Sequence, residues 1–260
     1  MAASHKHESK ETLNTTKQSA PLLLIPGMMN DERVWRHQIA ALRPRCSDIQ
    51  VVDITTADSI EEIARLALLS APEKFSLAGF SMGGIVALEI FRQAPQRILR
   101  LAILGSTPRS EKPHQQAPRL ALMERARKEP LRELMLTALI PPSLGKANQN
   151  DSLLQWEILD MALLLGTEIY LQQCHALNTR RDYREMLPEI RCPVLILCGE
   201  EEQVCPSWIS EEMAKSIPGS TLLIIKGSGH MVTLEAAEEV SAALLDWLAS
   251  ATLRRSSDHH

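Results

Sequence analysis

Apolar residues occur along this chain in short runs that stop at turn formers, with longer segments of helical spacing between the runs. Residues 21–25, Pro-Leu-Leu-Leu-Ile, end at Pro26-Gly27 and predict a buried strand meeting a turn. The same reading gives strands at 49–54, 75–78, 99–104, 194–198 and 221–225. Between and after them, helices are predicted at 59–70, 82–94, 207–217 and 234–249. Ser59 stands where it can cap the first helix, with Glu62 at capping-box spacing. Pro95 stops the second helix and Pro218-Gly219 the third. Nearly continuous apolar strands alternating with helices imply a mostly parallel sheet covered by helices on both faces, an α/β fold.

The middle of the chain breaks this rhythm. After the strand at 99–104 no clear strand is predicted until 194, only helical segments at 119–128, 131–139, 151–165 and 167–176, punctuated by prolines. That length exceeds an ordinary crossover, so it predicts a helical lid lying over the carboxyl ends of the strands, where open α/β sheets place their sites. The expected organisation is a flexible N-terminus at 1–19, a core at 20–108 and 188–251, the lid at 109–187, and a flexible C-terminus at 252–260.

Composition narrows the function classes. A chain of 260 residues supports one sizeable core with an insertion. With 28 basic against 32 acidic side chains, the net charge of −4 gives no reason to expect a nucleic-acid partner. The five cysteines are scattered and odd in number, which suits neither a disulfide framework nor a zinc cluster, and a reducing cytoplasm is the expected setting. The polar start holds no stretch of signal-peptide length, and no window predicts a membrane span. The pattern leaves the oligomeric state open.

One stretch carries chemistry. Residues 78–84 read Ala-Gly-Phe-Ser-Met-Gly-Gly between a predicted strand and a predicted helix. A serine at such a corner is held in strained backbone geometry, which needs the small Gly79 and Gly83 on either side, while Gly84 lets the helix approach the sheet. No phosphate-loop lysine or dinucleotide fingerprint accompanies these glycines, so neither a cofactor nor a metal is expected. A serine hydroxyl needs a base. Of eight histidines, His230 alone lies in a loop following a late strand, Lys226-Gly227-Ser228-Gly229-His230, at the same sheet edge as Ser81. A base in turn needs a carboxylate, and the loop after 194–198 offers Glu200, Glu201 and Glu202 in a row, of which one should turn inward. Oxyanion donors are expected from the backbone N–H groups of Met28, in the loop after the first strand, and of Met82, at the helix start.

With these pieces in place, the chain resembles the α/β-hydrolase fold superfamily, in its lidded, cofactor-free branch of small esterases, over roughly residues 21–249. The strings that carry the resemblance are Pro26-Gly27-Met28 where that branch has His-Gly-x, the full Gly-Phe-Ser-Met-Gly-Gly at 79–84, and Gly229-His230-Met231. The chain order of serine, acid and histidine is also that of the family. The family's Gly-x-x-Asp-x-x-x-Pro, laid on Gly199 to Pro206, puts Glu202 where an aspartate is usual. The resemblance therefore implies a Ser81–Glu202–His230 triad. It also implies an eight-stranded sheet opened by a hairpin, but the mostly polar residues before Pro21 lead us to expect one or both hairpin strands to be missing.

Methionines 28, 29, 82 and 231 surround the expected centre, and the lid supplies Trp156, Met161, Leu164, Leu165 and Tyr170, giving an apolar pocket wall. Arg109, Arg180 and Arg181 are expected to be solvated or bonded within the protein. The expected partner is a small-molecule acyl substrate. The expected function is hydrolysis of a carboxylic ester or thioester of a small apolar acid through an acyl-enzyme. As an alternative that the resemblance implies, the same triad is used for lactone or carbon–carbon bond hydrolysis, acyl transfer or cofactor-free perhydrolysis. From a different class, a low-turnover ligand-binding protein on this fold is the alternative.

Overall fold

The computed structural model describes residues 20–250, so the expected flexible ends, with His5, His7, His259 and His260, lie outside the described residues. Six strands form one sheet: β1 (Leu22–Ile25), β2 (Ile49–Val51), β3 (Phe75–Phe80), β4 (Ile98–Leu104), β5 (Val194–Gly199) and β6 (Thr221–Ile225). Their order is β2-β1-β3-β4-β5-β6 and every pairing is parallel. No strand precedes β1 among the described residues, so the opening hairpin is absent from them. The helices are α1 (Arg36–Leu42), α2 (Ile60–Ser70), α3 (Met82–Gln93), α4 (Pro113–Ala126), α5 (Leu131–Leu134), α6 (Ser152–Asn178), α7 (Ser207–Ser216), α8 (Val232–Glu235) and α9 (Ala237–Ala249).

Alternation along the strands divides the core into two layers. Leu22, Leu24, Ala78, Phe80, Ala102, Leu104, Leu195 and Leu197 face one side with α9 and the lid residues. Leu23, Ile25, Leu77, Leu101, Ile103, Val194 and Ile196 face the other, with α2, α3 and α7. Successive Cβ atoms point to opposite faces, so a strand buried on both sides must be apolar throughout. That explains the continuous runs in the sequence.

Local departures have local causes. Ser59 caps α2 as expected, its Oγ accepting the Glu62 N–H at 3.3 Å. β2 stops at Val51 because Asp53 turns the chain, its carboxylate accepting both the N–H and the hydroxyl of Thr55. The last helix is divided at Ala236, whose φ of −128° and ψ of 51° are not helical. Residues 32–42, between β1 and β2, form a 3₁₀ turn and then α1, which packs on α9.

The insertion between β4 and β5 is helical, as expected, and contains α4, α5 and α6. Gly166, at φ 83° and ψ 174°, breaks α6 where the pattern separates 151–165 from 167–176. The two ends of the insertion are fastened to each other. Arg180 Nε donates to Arg109 O at 2.8 Å, and the Tyr183 N–H donates to Pro108 O at 2.7 Å. Glu111 pairs with both Arg119 and the buried Arg180.

Candidate active site

Ser81 occupies the corner between β3 and α3 with φ 53° and ψ −119°, a left-handed conformation that costs a non-glycine residue about 1–3 kcal/mol. Three hydrogen bonds hold it there. The Ser81 N–H donates to Leu104 O at 2.8 Å, and Ser81 O accepts from the Gly84 N–H at 2.9 Å and from Ser106 Oγ at 2.7 Å. The flanking glycines are sterically required: a Cβ on Gly79 would overlap the Gly83 carbonyl, and one on Gly83 the Ile25 carbonyl. Ser106, just beyond β4, drew no notice in the sequence because its role depends on β4 lying beside β3.

His230 reaches the corner from the loop between β6 and α8. Its Nε2 is 2.8 Å from Ser81 Oγ and its Nδ1 is 2.6 Å from Glu202 Oε2. An ionised carboxylate can only accept, so Nδ1 carries the proton and Nε2 accepts from the serine hydroxyl. The Phe80 ring lies 5.2 Å from the imidazole, centroid to centroid. Glu202 folds back on its own loop, where Oε1 accepts the N–H groups of Val204 at 2.7 Å and Cys205 at 2.9 Å, and its side chain is fully buried. This back-folding accommodates the methylene that a glutamate has beyond an aspartate. Its neighbours face elsewhere. Glu200 accepts the Gly227 N–H and Glu201 the Lys146 N–H.

The Met28 N–H donates to no acceptor among the described residues. The Met82 N–H belongs to the first turn of α3, where helical N–H groups have no partner within the helix. Met29, Met161, Tyr170 and Met231 are all buried in one cluster with Phe80 beneath the lid. Two expectations for the wall need correction. Trp156 is 53% exposed under the Arg132 guanidinium, and Leu164 is 71% exposed. Both lie on the outer side of α6, because Ile158, Leu159, Met161 and Ala162 take the inward positions of that helical turn. The Met82 side chain also packs on the opposite sheet face, so only its backbone is at the corner. Arg109 and Arg181 pair with Glu212 and Glu61.

Glu235 escaped sequence reasoning. Its Oε1 accepts the Gly229 N–H at 3.0 Å, while Oε2 accepts the Gly145 N–H at 2.7 Å and Asn148 Nδ2 at 2.8 Å. One carboxylate thus joins the histidine loop to the lid, assisted by the Met231 N–H on Ser143 O at 3.0 Å. Burial pushes its carboxyl above the ordinary glutamate value, against the pull of these donors. Glu235→Ala should lower stability by about 2–4 kcal/mol, with a fall in kcat/KM of roughly tenfold or more as His230 loses its fixed loop. Glu235→Gln, which retains one carbonyl oxygen, should fall between the parent and the alanine variant. Urea unfolding and ester turnover on the three proteins check both statements.

Among the described residues, no group of three or more His, Cys, Asp or Glu side chains is placed to hold a metal ion, and no helix is long and apolar enough to cross a membrane. A parallel sheet with a strained serine at a strand-to-helix corner and a helical lid over it defines an enzyme of hydrolase architecture. Residues 22–243 match the alpha/beta hydrolase family, and the chain belongs to it. It is 26% identical over 254 residues to the pimeloyl-(acyl-carrier protein) methyl ester esterase of Photobacterium profundum, covering 90% of this chain and 96% of that protein. Among solved structures it is similar to a thermophilic esterase from Thermogutta terrifontis, with a TM-score of 0.78 and 26% identity over 89% of this chain and 90% of that one. An enol-lactonase from Burkholderia xenovorans shares the fold, with a TM-score of 0.78 and 21% identity over 89% of this chain and 92% of that one.

Proposed function

We propose that this chain is a serine esterase that hydrolyses carboxylic esters of small, largely apolar acids, with Ser81 as nucleophile, His230 as base and Glu202 as the acid that orients it. The observation that carries the reading is the continuous hydrogen-bond chain from Ser81 Oγ through both ring nitrogens of His230 to Glu202. Ser81 Oγ attacks the ester carbonyl as Nε2 takes its proton, and the imidazolium is stabilised by the Glu202 carboxylate. The Met28 and Met82 N–H groups receive the charge that develops on the carbonyl oxygen. His230 then protonates the departing alkoxide, and in the second half it activates water against the acyl-enzyme.

Residues 109–187 act as the lid, and Met29, Met161, Tyr170 and Met231 bound the acyl side of the pocket. The esterase names of the similar proteins favour ester over the other electrophiles open to this triad. All five cysteines are free, in keeping with a cytoplasmic setting. The test is a panel of chromogenic esters, thioesters, lactones and carbon–carbon cleavage substrates, with Ser81→Ala as the blank. Short-chain ester turnover that the blank lacks is the expected result. Turnover equal to the blank on every ester would overturn the reading.

A further inference from the structure

Gln173 is a lid residue on α6 with no exposed surface, flanked in the same buried cluster by Tyr170 and Cys174. Its Oε1 accepts the Met29 N–H at 2.9 Å. That single contact fixes which end of the amide is which, because a backbone N–H can face only the oxygen. The other end, Nε2, is buried and has no acceptor among the described residues. A buried amide donor left unpaired is costly, so a position that keeps one calls for an acceptor.

The place of this contact is informative. Met29 is one of two non-glycine residues with positive φ among the described residues, at φ 58°, and the other is Ser81. Both strained residues belong to the site, one in the oxyanion loop and one at the corner. Met29 N–H adjoins Met28, whose own N–H is free to face the reacting carbonyl. Gln173 is therefore anchored over the oxyanion loop, with two N–H bonds still to donate.

Resting on the esterase reading above, we propose that Gln173 is a substrate-binding residue. Its Oε1 holds the oxyanion loop through Met29, and its Nε2 donates to an oxygen of the substrate beside the scissile carbonyl. The substrates that suit this site are small esters with an ether, keto or hydroxyl oxygen close to the ester group. Purely hydrocarbon acyl esters leave the donor unpaired. This refines the apolar pocket to one with a single polar contact under the lid.

Isosteric ester pairs test the proposal, since an ether oxygen replaces one methylene at nearly constant shape. We would compare p-nitrophenyl methoxyacetate with the butyrate, p-nitrophenyl 3-methoxypropionate with the pentanoate, and 2-methoxyethyl acetate with butyl acetate. Each pair is run on the parent, Gln173→Met and Gln173→Asn, so that intrinsic reactivity cancels in the comparison. The parent should prefer the oxygenated member of at least one pair by about five- to tenfold more than either variant does, chiefly through KM. Loss of the Met29 anchor should lower kcat on both members alike. If the preference in all three pairs stays within twofold of the parent in both variants, Gln173 only braces the loop and the proposal falls. Ser81→Ala separates the two readings. Full turnover there would overturn the Ser81-centred reading on which the proposal rests, whereas a dead Ser81→Ala with unmoved preferences would overturn only the role of Gln173.

Discussion

Replacing Ser81 by alanine is expected to lower kcat by about 10⁶ and to leave only the slow turnover that the oxyanion donors and binding sustain. It should also abolish covalent labelling by a fluorophosphonate, with intact mass and peptide mapping locating the adduct on Ser81 in the parent. The size of the effect follows from the geometry. His230 Nε2 is aimed at Ser81 Oγ, and without that oxygen the base has only water to activate. Ser81→Gly supplies an independent check on the corner. Glycine adopts φ 53° without strain, so this variant should be equally inactive yet more stable than Ser81→Ala by about 1 kcal/mol. An adduct on another residue, or an alanine variant with parental activity, would remove Ser81 from its role.

The contrast between what could and could not be read in the sequence follows from the range of the forces involved. The strand-forming run at 75–78, which the structure extends to Phe80, and the corner at 79–84 were legible because hydrophobic periodicity and glycine sterics act within a few residues. Placing His230 at the same sheet edge as Ser81 required only that both follow parallel strands. Trp156 was misplaced because an apolar residue on a lid helix can face either way, and its register is set by contacts across the chain. Ser106, Gln173 and Glu235 were invisible for a related reason: each acts on backbone 25 to 144 residues away or on two loops at once. Gln173 did leave one trace. It is an uncharged polar residue on the inner stripe that Tyr170, Cys174 and Leu177 define at helical spacing.

The acid is the member of the site for which the sequence offered three neighbouring choices, and it carries the second large expected effect. Glu202→Gln should lower kcat on the order of 10⁴-fold, the size of the equivalent change in a serine protease. The amide has one oxygen for three donors. Two of these, the Val204 and Cys205 N–H groups, belong to the same tight loop and will claim it. The amide NH₂ then faces His230 Nδ1 and drives the proton to Nε2, the tautomer that cannot accept from Ser81. Glu202→Asp keeps the charge but is one methylene shorter in a loop folded around the longer side chain. It should retain partial activity, about 10- to 100-fold below the parent. Glu200→Gln and Glu201→Gln should stay within about threefold, because those carboxylates hold the Gly227 and Lys146 backbone instead. The measurement is kcat/KM for all four variants on one good ester, with melting temperatures to exclude unfolding. A Glu202→Gln enzyme within threefold of the parent, beside a collapsed Glu200→Gln or Glu201→Gln, would transfer the role to that neighbour.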